Sequence, residues 1–64
     1  MIAWVCRNKE GIIRAASVVE YTDPKMLEEW KADGRIPELV DTVGQPLTIN
    51  GPLAGDARVL RRLT

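Results

Sequence analysis

Cys6 is the only cysteine in this chain, and there is no histidine. These two counts constrain the fold more than any motif, because a chain of 64 residues is short of core. A domain of this size buries only about 60 % of the surface its unfolded form exposes. Small domains usually supplement such a core with disulfides, a metal or a partner chain. A disulfide within one copy needs a second cysteine, and a zinc site needs several Cys or His ligands at short spacing. What remains is good packing or association with another chain. Association is the favoured expectation.

Composition agrees with a globular chain and excludes little else. Apolar residues make up 45 % and charged residues 28 %, neither of which suits disorder. Nine basic residues cancel nine acidic ones, so no overall field draws the molecule to nucleic acid or an anionic membrane. The apolar run from Met1 to Cys6 has no basic residue before it and no small-residue cleavage site after it. It is too short for a signal peptide or a membrane span. With one unpaired cysteine and no export signal, a reducing cytoplasm is the expected location. No repeat or linker divides the chain, so residues 1–64 are expected to form a single small globular domain.

Residues 2–7, IAWVCR, place Ile2, Trp4 and Cys6 on alternate positions, which is strand spacing. Asn8 to Gly11 form a polar turn with glycine where positive φ is cheapest. IIRAASVVEY, residues 12–21, is expected as the second strand of a hairpin, although Ile12, Ala16 and Val19 also fit a helix. The clearest element follows. Thr22 or Asp23 serves as N-cap, Pro24 takes the first helical position and Gly34 stops the helix, giving a helix at about 24–33. Met26, Leu27 and Trp30 fall within one arc that docks on the sheet.

Beyond Arg35, Pro37 and Pro46 exclude a long central strand, because proline cannot donate to a ladder. PELVDTV reads as a helical turn or an edge strand, and LTI at 47–49 as a short strand closed by Asn50-Gly51. In the tail, GPLAGDARVLRRLT, strand faces would both be mixed. At helical spacing Val59, Leu60 and Leu63 gather on one side and Arg58, Arg61 and Arg62 on the other, with Asp56 as N-cap. The expectation is a short C-terminal helix whose apolar side must dock on something.

Catalytic machinery is hard to assemble from these residues. Cys6 has no histidine to activate it, and its alternating apolar setting suits a buried structural thiol. Ser17, the only serine, likewise lacks a base, and Glu28 and Glu29 diverge on the helix surface. GPLAGDAR has spaced glycines before a helix-like segment, but Asp56 and Ala57 stand where a phosphate loop needs lysine and a hydroxyl. No cofactor and no metal are expected. Arg58, Arg61 and Arg62 are the basic-patch candidates, joined by Arg7, Lys9, Arg14 and Arg35 if the fold gathers them. The plainer reading has them pair with acids such as Glu20 or Asp41.

EEWKADGRIPELVDTVGQPLTI resembles the stretch where recognition helix gives way to wing in excisionase-type and MerR-type DNA-binding proteins. Trp30, the run Gly34-Arg35-Ile36-Pro37, Val40 and Gly44 carry the resemblance. It implies a wing reaching toward the DNA backbone. It covers about a third of the chain, and it departs from that family in two ways. Residues 2–21 read as a hairpin where the family has a helix-turn-helix, and Glu28 and Glu29 would repel phosphates. The chain is not assigned to that family.

Together these features predict an α+β fold: an N-terminal hairpin, a packed helix, one or two short strands and a C-terminal helix. The expected function is non-catalytic protein binding, as a homo-oligomer or as a small regulator or inhibitor of a larger cytoplasmic protein. Tyr21, Met26 and Trp30 are the interface candidates, since aromatic residues favour interfaces and the chain is small for so many large side chains. The alternative is a nucleic-acid-binding protein using the C-terminal arginine face. By analogy, compact chains of this kind are frequent among phage and mobile-element products. No membrane association is expected.

Overall fold

The computed structural model describes residues 1–63. They form β1 (Ile2–Arg7), β2 (Ile13–Ser17), α1 (Pro24–Ala32), β3 (Ile36–Asp41) and β4 (Arg58–Arg62). The strands make one antiparallel sheet in the order β2-β1-β3-β4, so the fold is mixed α+β.

The N-terminal hairpin forms for the local reasons the residues suggest. The Asn8 side-chain oxygen accepts from the N–H groups of Glu10 (2.9 Å) and Ile12 (3.0 Å), and Gly11 takes a φ of 82°. Trp4, Val5 and Cys6 then stand opposite Ser17, Ala16 and Ala15, after which the register slips so that Arg7 faces Ile13. Such a bulge redirects side chains. Simple alternation would keep Ile13 on the face of Ala15 and Cys6. Instead it joins Val5 and Val40 in a fully buried cluster, with Leu47 and Leu53 packed against it. The long connection from β3 to β4 thus supplies the cover for one face of the sheet. Trp4 stands opposite Leu39 and Cys6 opposite Pro37 on the other face, and α1 packs on β3.

Asp23 is the N-cap of α1, its carboxylate accepting from the N–H groups of Lys25 at 3.1 Å and Met26 at 3.5 Å. Pro24 needs no N–H at the first turn. Gly34, with φ 79°, ends the helix by donating to the Lys31 carbonyl. No residue of α1 is fully buried; Met26, Leu27 and Trp30 are half-buried, and Glu28 and Glu29 are exposed. The helix is a partial lid.

Four expectations need correction. The second strand stops at Ser17 and does not run to Tyr21, because the Ser17 hydroxyl accepts from the Val19 N–H and bends the chain. Val18 and Val19 are left 83 % and 67 % exposed. Pro37 lies inside β3, a central strand. Its carbonyl accepts from Leu63, just past the end of β4, so the absent N–H also falls where the ladder has run out. Residues 47–49 form no strand: Leu47 turns down onto the core and Asn50, at φ 69°, makes the turn. Last, the C-terminal helix is absent, and Arg58–Arg62 is a strand. The antiparallel pair over residues 2–17 also replaces the helix-turn-helix that the winged-protein resemblance would require.

Candidate functional site

The sheet has two edges, and the chain treats them differently. On the β2 side, Ile13 donates its N–H to the Gly51 carbonyl (2.9 Å) and its carbonyl accepts from Asn50 (2.7 Å), while Ile12 bridges to Pro52. The Asn50-Gly51 turn therefore occupies the start of that edge. On the other side, β4 pairs with β3 alone among the described residues, and all five of its residues are exposed. An open strand edge presents a row of unpaired backbone donors and acceptors to any extended segment that approaches.

The arginines that separate so cleanly on a helix are distributed here over two faces of a strand. Arg62 stands opposite Glu38 and Arg61 opposite Leu39. Glu38 is only 5 % exposed. Its two oxygens are taken by the Nε atoms of Arg7 (2.8 Å) and Arg62 (2.9 Å), which spans β1, β3 and β4 with one carboxylate. Two charge-assisted bonds of this kind are what a buried carboxylate requires. Arg61, on the opposite face, lies over the Trp4 ring at 5.9 Å and reaches Glu20 at 3.6 Å. A slip in register between Leu39 and Val40 then brings Val59 opposite Val40 and Arg58 opposite Asp41. Asp41 itself lies 3.8 Å from the N-terminal ammonium. Among the described residues Arg58 has no ion pair. Between and beside these charges, Val59 and Leu60 are 39 % and 52 % exposed.

Tyr21 and Trp30, two of the interface candidates, meet edge-to-face at 5.0 Å between ring centroids. Both are half-buried, as is Met26. The Tyr21 hydroxyl is buried and has no hydrogen-bond partner among the described residues. Burial, and secondarily the nearby Cys6, push its pKa up. Cys6 is buried, and burial likewise raises its thiol pKa, Arg35 opposing and Glu38 reinforcing the effect. A protonated, inaccessible thiol is the reverse of an activated nucleophile.

A cleft of about 370 Å³ lies between α1 and the start of β3, lined by Leu27, Ile36, Pro37 and Leu63 with Lys31 and Arg35. It holds no nucleophile–base pair. Among the described residues there is no group of three or more His, Cys, Asp or Glu placed to hold a metal, and no helix long and apolar enough to cross a membrane. Comparison with protein-family models, with curated proteins and with solved structures finds no match.

Sequence reasoning missed Glu38, and although a hairpin leaves sheet edges that another chain can extend, it did not place an edge at Arg58–Arg62. Glu38 did carry a signal: it is the one charged residue between Ile36 and Val40, flanked by apolar positions on either side. The edge carried none, because strand order is decided by pairing between distant segments.

Proposed function

We propose that this protein is a non-catalytic protein-binding module that engages its partner along the outer edge of β4. It acts as a homo-oligomer or as a small regulator or inhibitor of a larger cytoplasmic protein. One observation carries the reading: of two sheet edges, the chain covers the start of one with its own turn and leaves the other exposed along its whole length. Main-chain bonds to such an edge supply affinity, and the flanking side chains supply selectivity. In this reading Tyr21, Met26 and Trp30 hold α1 on the sheet and shape its outer surface. Direct contact passes to Arg58, Val59 and Leu60.

The test combines solution mass with partner capture. Light scattering should give more than one copy per particle, or a pulldown should recover a stoichiometric protein partner that is lost with Leu60→Pro. A strict monomer with no protein partner would end the proposal. The nucleic-acid alternative now rests on a strand whose Arg61 and Arg62 already face carboxylates. A salt-dependent gel shift, abolished when Arg58, Arg61 and Arg62 are all alanine, would restore it.

A further inference from the structure

We infer that the segment received by β4 is an acidic, extended stretch of a different protein, and not the β4 of a second copy. The inference rests on the reading of β4 as a binding edge and narrows its occupant.

An added strand sets its side chains directly opposite those of the edge it joins, with about 4.5–5.5 Å between Cβ atoms, and like charges placed so are destabilising. β4 reads Arg-Val-Leu-Arg-Arg. Pairing two copies antiparallel over the full strand centres the pair on Leu60 and brings all six arginines onto one seam, Arg58 level with Arg62 at both ends although the slip at Leu39–Val40 sets them on opposite faces. Pairing them parallel and in register stacks all three arginines on their own kind. Either arrangement concentrates positive charge on a rim that already has a surplus. Around β4, among the described residues, the guanidinium groups of Arg7, Arg61 and Arg62 share two carboxylates, Glu20 and Glu38, in ion pairs, and Arg58 has none. Glu38 is shared by two of them, and the Arg61–Glu20 pair is long and well exposed. Asp41, opposite Arg58, lies within ion-pair distance of the N-terminal ammonium. The molecule as a whole is neutral, so this excess is local to the edge.

The complementary occupant follows from those positions. It has carboxylates where it faces Arg58 and the Arg61–Arg62 pair, an apolar residue against Leu60, and at least the length of β4. A helix cannot satisfy an open backbone edge, so the occupant is extended.

The experiment uses the full chain and defined ligands. A blocked peptide of about nine residues, with Val where it faces Val59 and Leu60 and Glu where it faces Arg58, Arg61 and Arg62, is titrated in, beside a counterpart with Lys in place of Glu and an oligothymidine of similar length. The Glu peptide should bind about tenfold or more tightly than the Lys peptide at low salt, and shift the amide resonances of residues 58–62. That preference should shrink between about 20 mM and about 300 mM salt. Leu60→Asp, at an exposed position, should weaken the Glu peptide about tenfold while the rest of the amide spectrum stays in place. Equal binding of the two peptides overturns charge selection but leaves β4 a binding edge. So does a dimer that dissociates with Leu60→Asp, which makes a second copy the occupant. Binding of the oligothymidine alone, or a monomer that binds none of the three, overturns both the inference and the reading beneath it.

Discussion

β2 and β4 are both edge strands of five residues, yet the chain bonds to the outer side of β2 at its start and, among the described residues, to none of β4. Ile13 of β2 is fully buried and its backbone is bonded on the outer side by the 50–51 turn, whereas Leu60 of β4 is mostly in water. The difference comes from how the 42–57 connection is spent. To cover Val5, Ile13 and Val40 with Leu47 and Leu53 it must cross the sheet face, and in crossing it caps the start of the β2 edge. It then returns to lay β4 down beside β3, and no chain is left to cover that edge among the described residues. Charged residues on an exposed edge strand, such as Arg58, Arg61 and Arg62, work against pairing between edges.

The sharpest way to break this contrast is to cut at Ile13. Ile13→Ala removes a fully buried side chain that joins the hairpin to the covering loop, and should cost about 3 kcal/mol in denaturant unfolding. A loss below about 1 kcal/mol would mean that the covered edge is not part of the core. Glu38→Ala comes next. It leaves the guanidinium groups of Arg7 and Arg62 without their shared carboxylate, which should cost about 2 kcal/mol. The figure sits below the range for wholly buried pairs because Arg62 is largely exposed and can turn to water. An unchanged midpoint would show that β4 is held by its backbone alone.

Alkaline pH should give a smaller effect, set by the face beneath α1. Cys6 and Tyr21 lose their protons in the unfolded chain near 9.0 and 10.0, and both pKa values are raised by burial in the folded protein. The folded state therefore holds protons that the unfolded state releases. Stability from these groups is complete below pH 9 and declines as pH rises from the unfolded toward the folded values. Tyr21→Phe should flatten part of that slope. At neutral pH it should leave stability unchanged or raise it by up to about 1 kcal/mol, since the lost hydroxyl is buried without a partner. A clear destabilisation would reveal a bond to that oxygen. The smallest effect belongs to the open edge: Leu60→Ala should change stability by no more than about 0.5 kcal/mol. A larger cost would place Leu60 inside a contact of the free protein and weaken the case that it waits for a partner.

Local signals were readable where a few adjacent residues decide the outcome. Asp23, Pro24 and Gly34 bound α1 through caps that need no distant partner, and Asn8 with Gly11 makes the first turn by the same logic. Asn50-Gly51 did the same for its turn, though the strand expected before it did not form. The candidate site was much less legible. Arg58, Arg61 and Arg62 were singled out, and Glu20 was named among their possible partners, but on a helix that does not exist. Periodicity favoured the helix because it sorted arginines from aliphatics. A strand with mixed faces became acceptable once Glu38 waited on one face and Trp4 with Glu20 on the other.

What the sequence determined alone is the set of pieces: no disulfide within one copy, a hairpin at the start, a capped helix and an excess of arginine near the end. What only the tertiary structure decided is their relation. Pro37 fits a central strand because β4 ends where its missing N–H would point. Ile13 enters the core through one slipped residue in the register. The tail is a strand because β3 offered it an edge and a carboxylate. Each of these depends on groups far apart in the chain coming to lie within a hydrogen bond of each other, and periodicity along a single segment carries no trace of that.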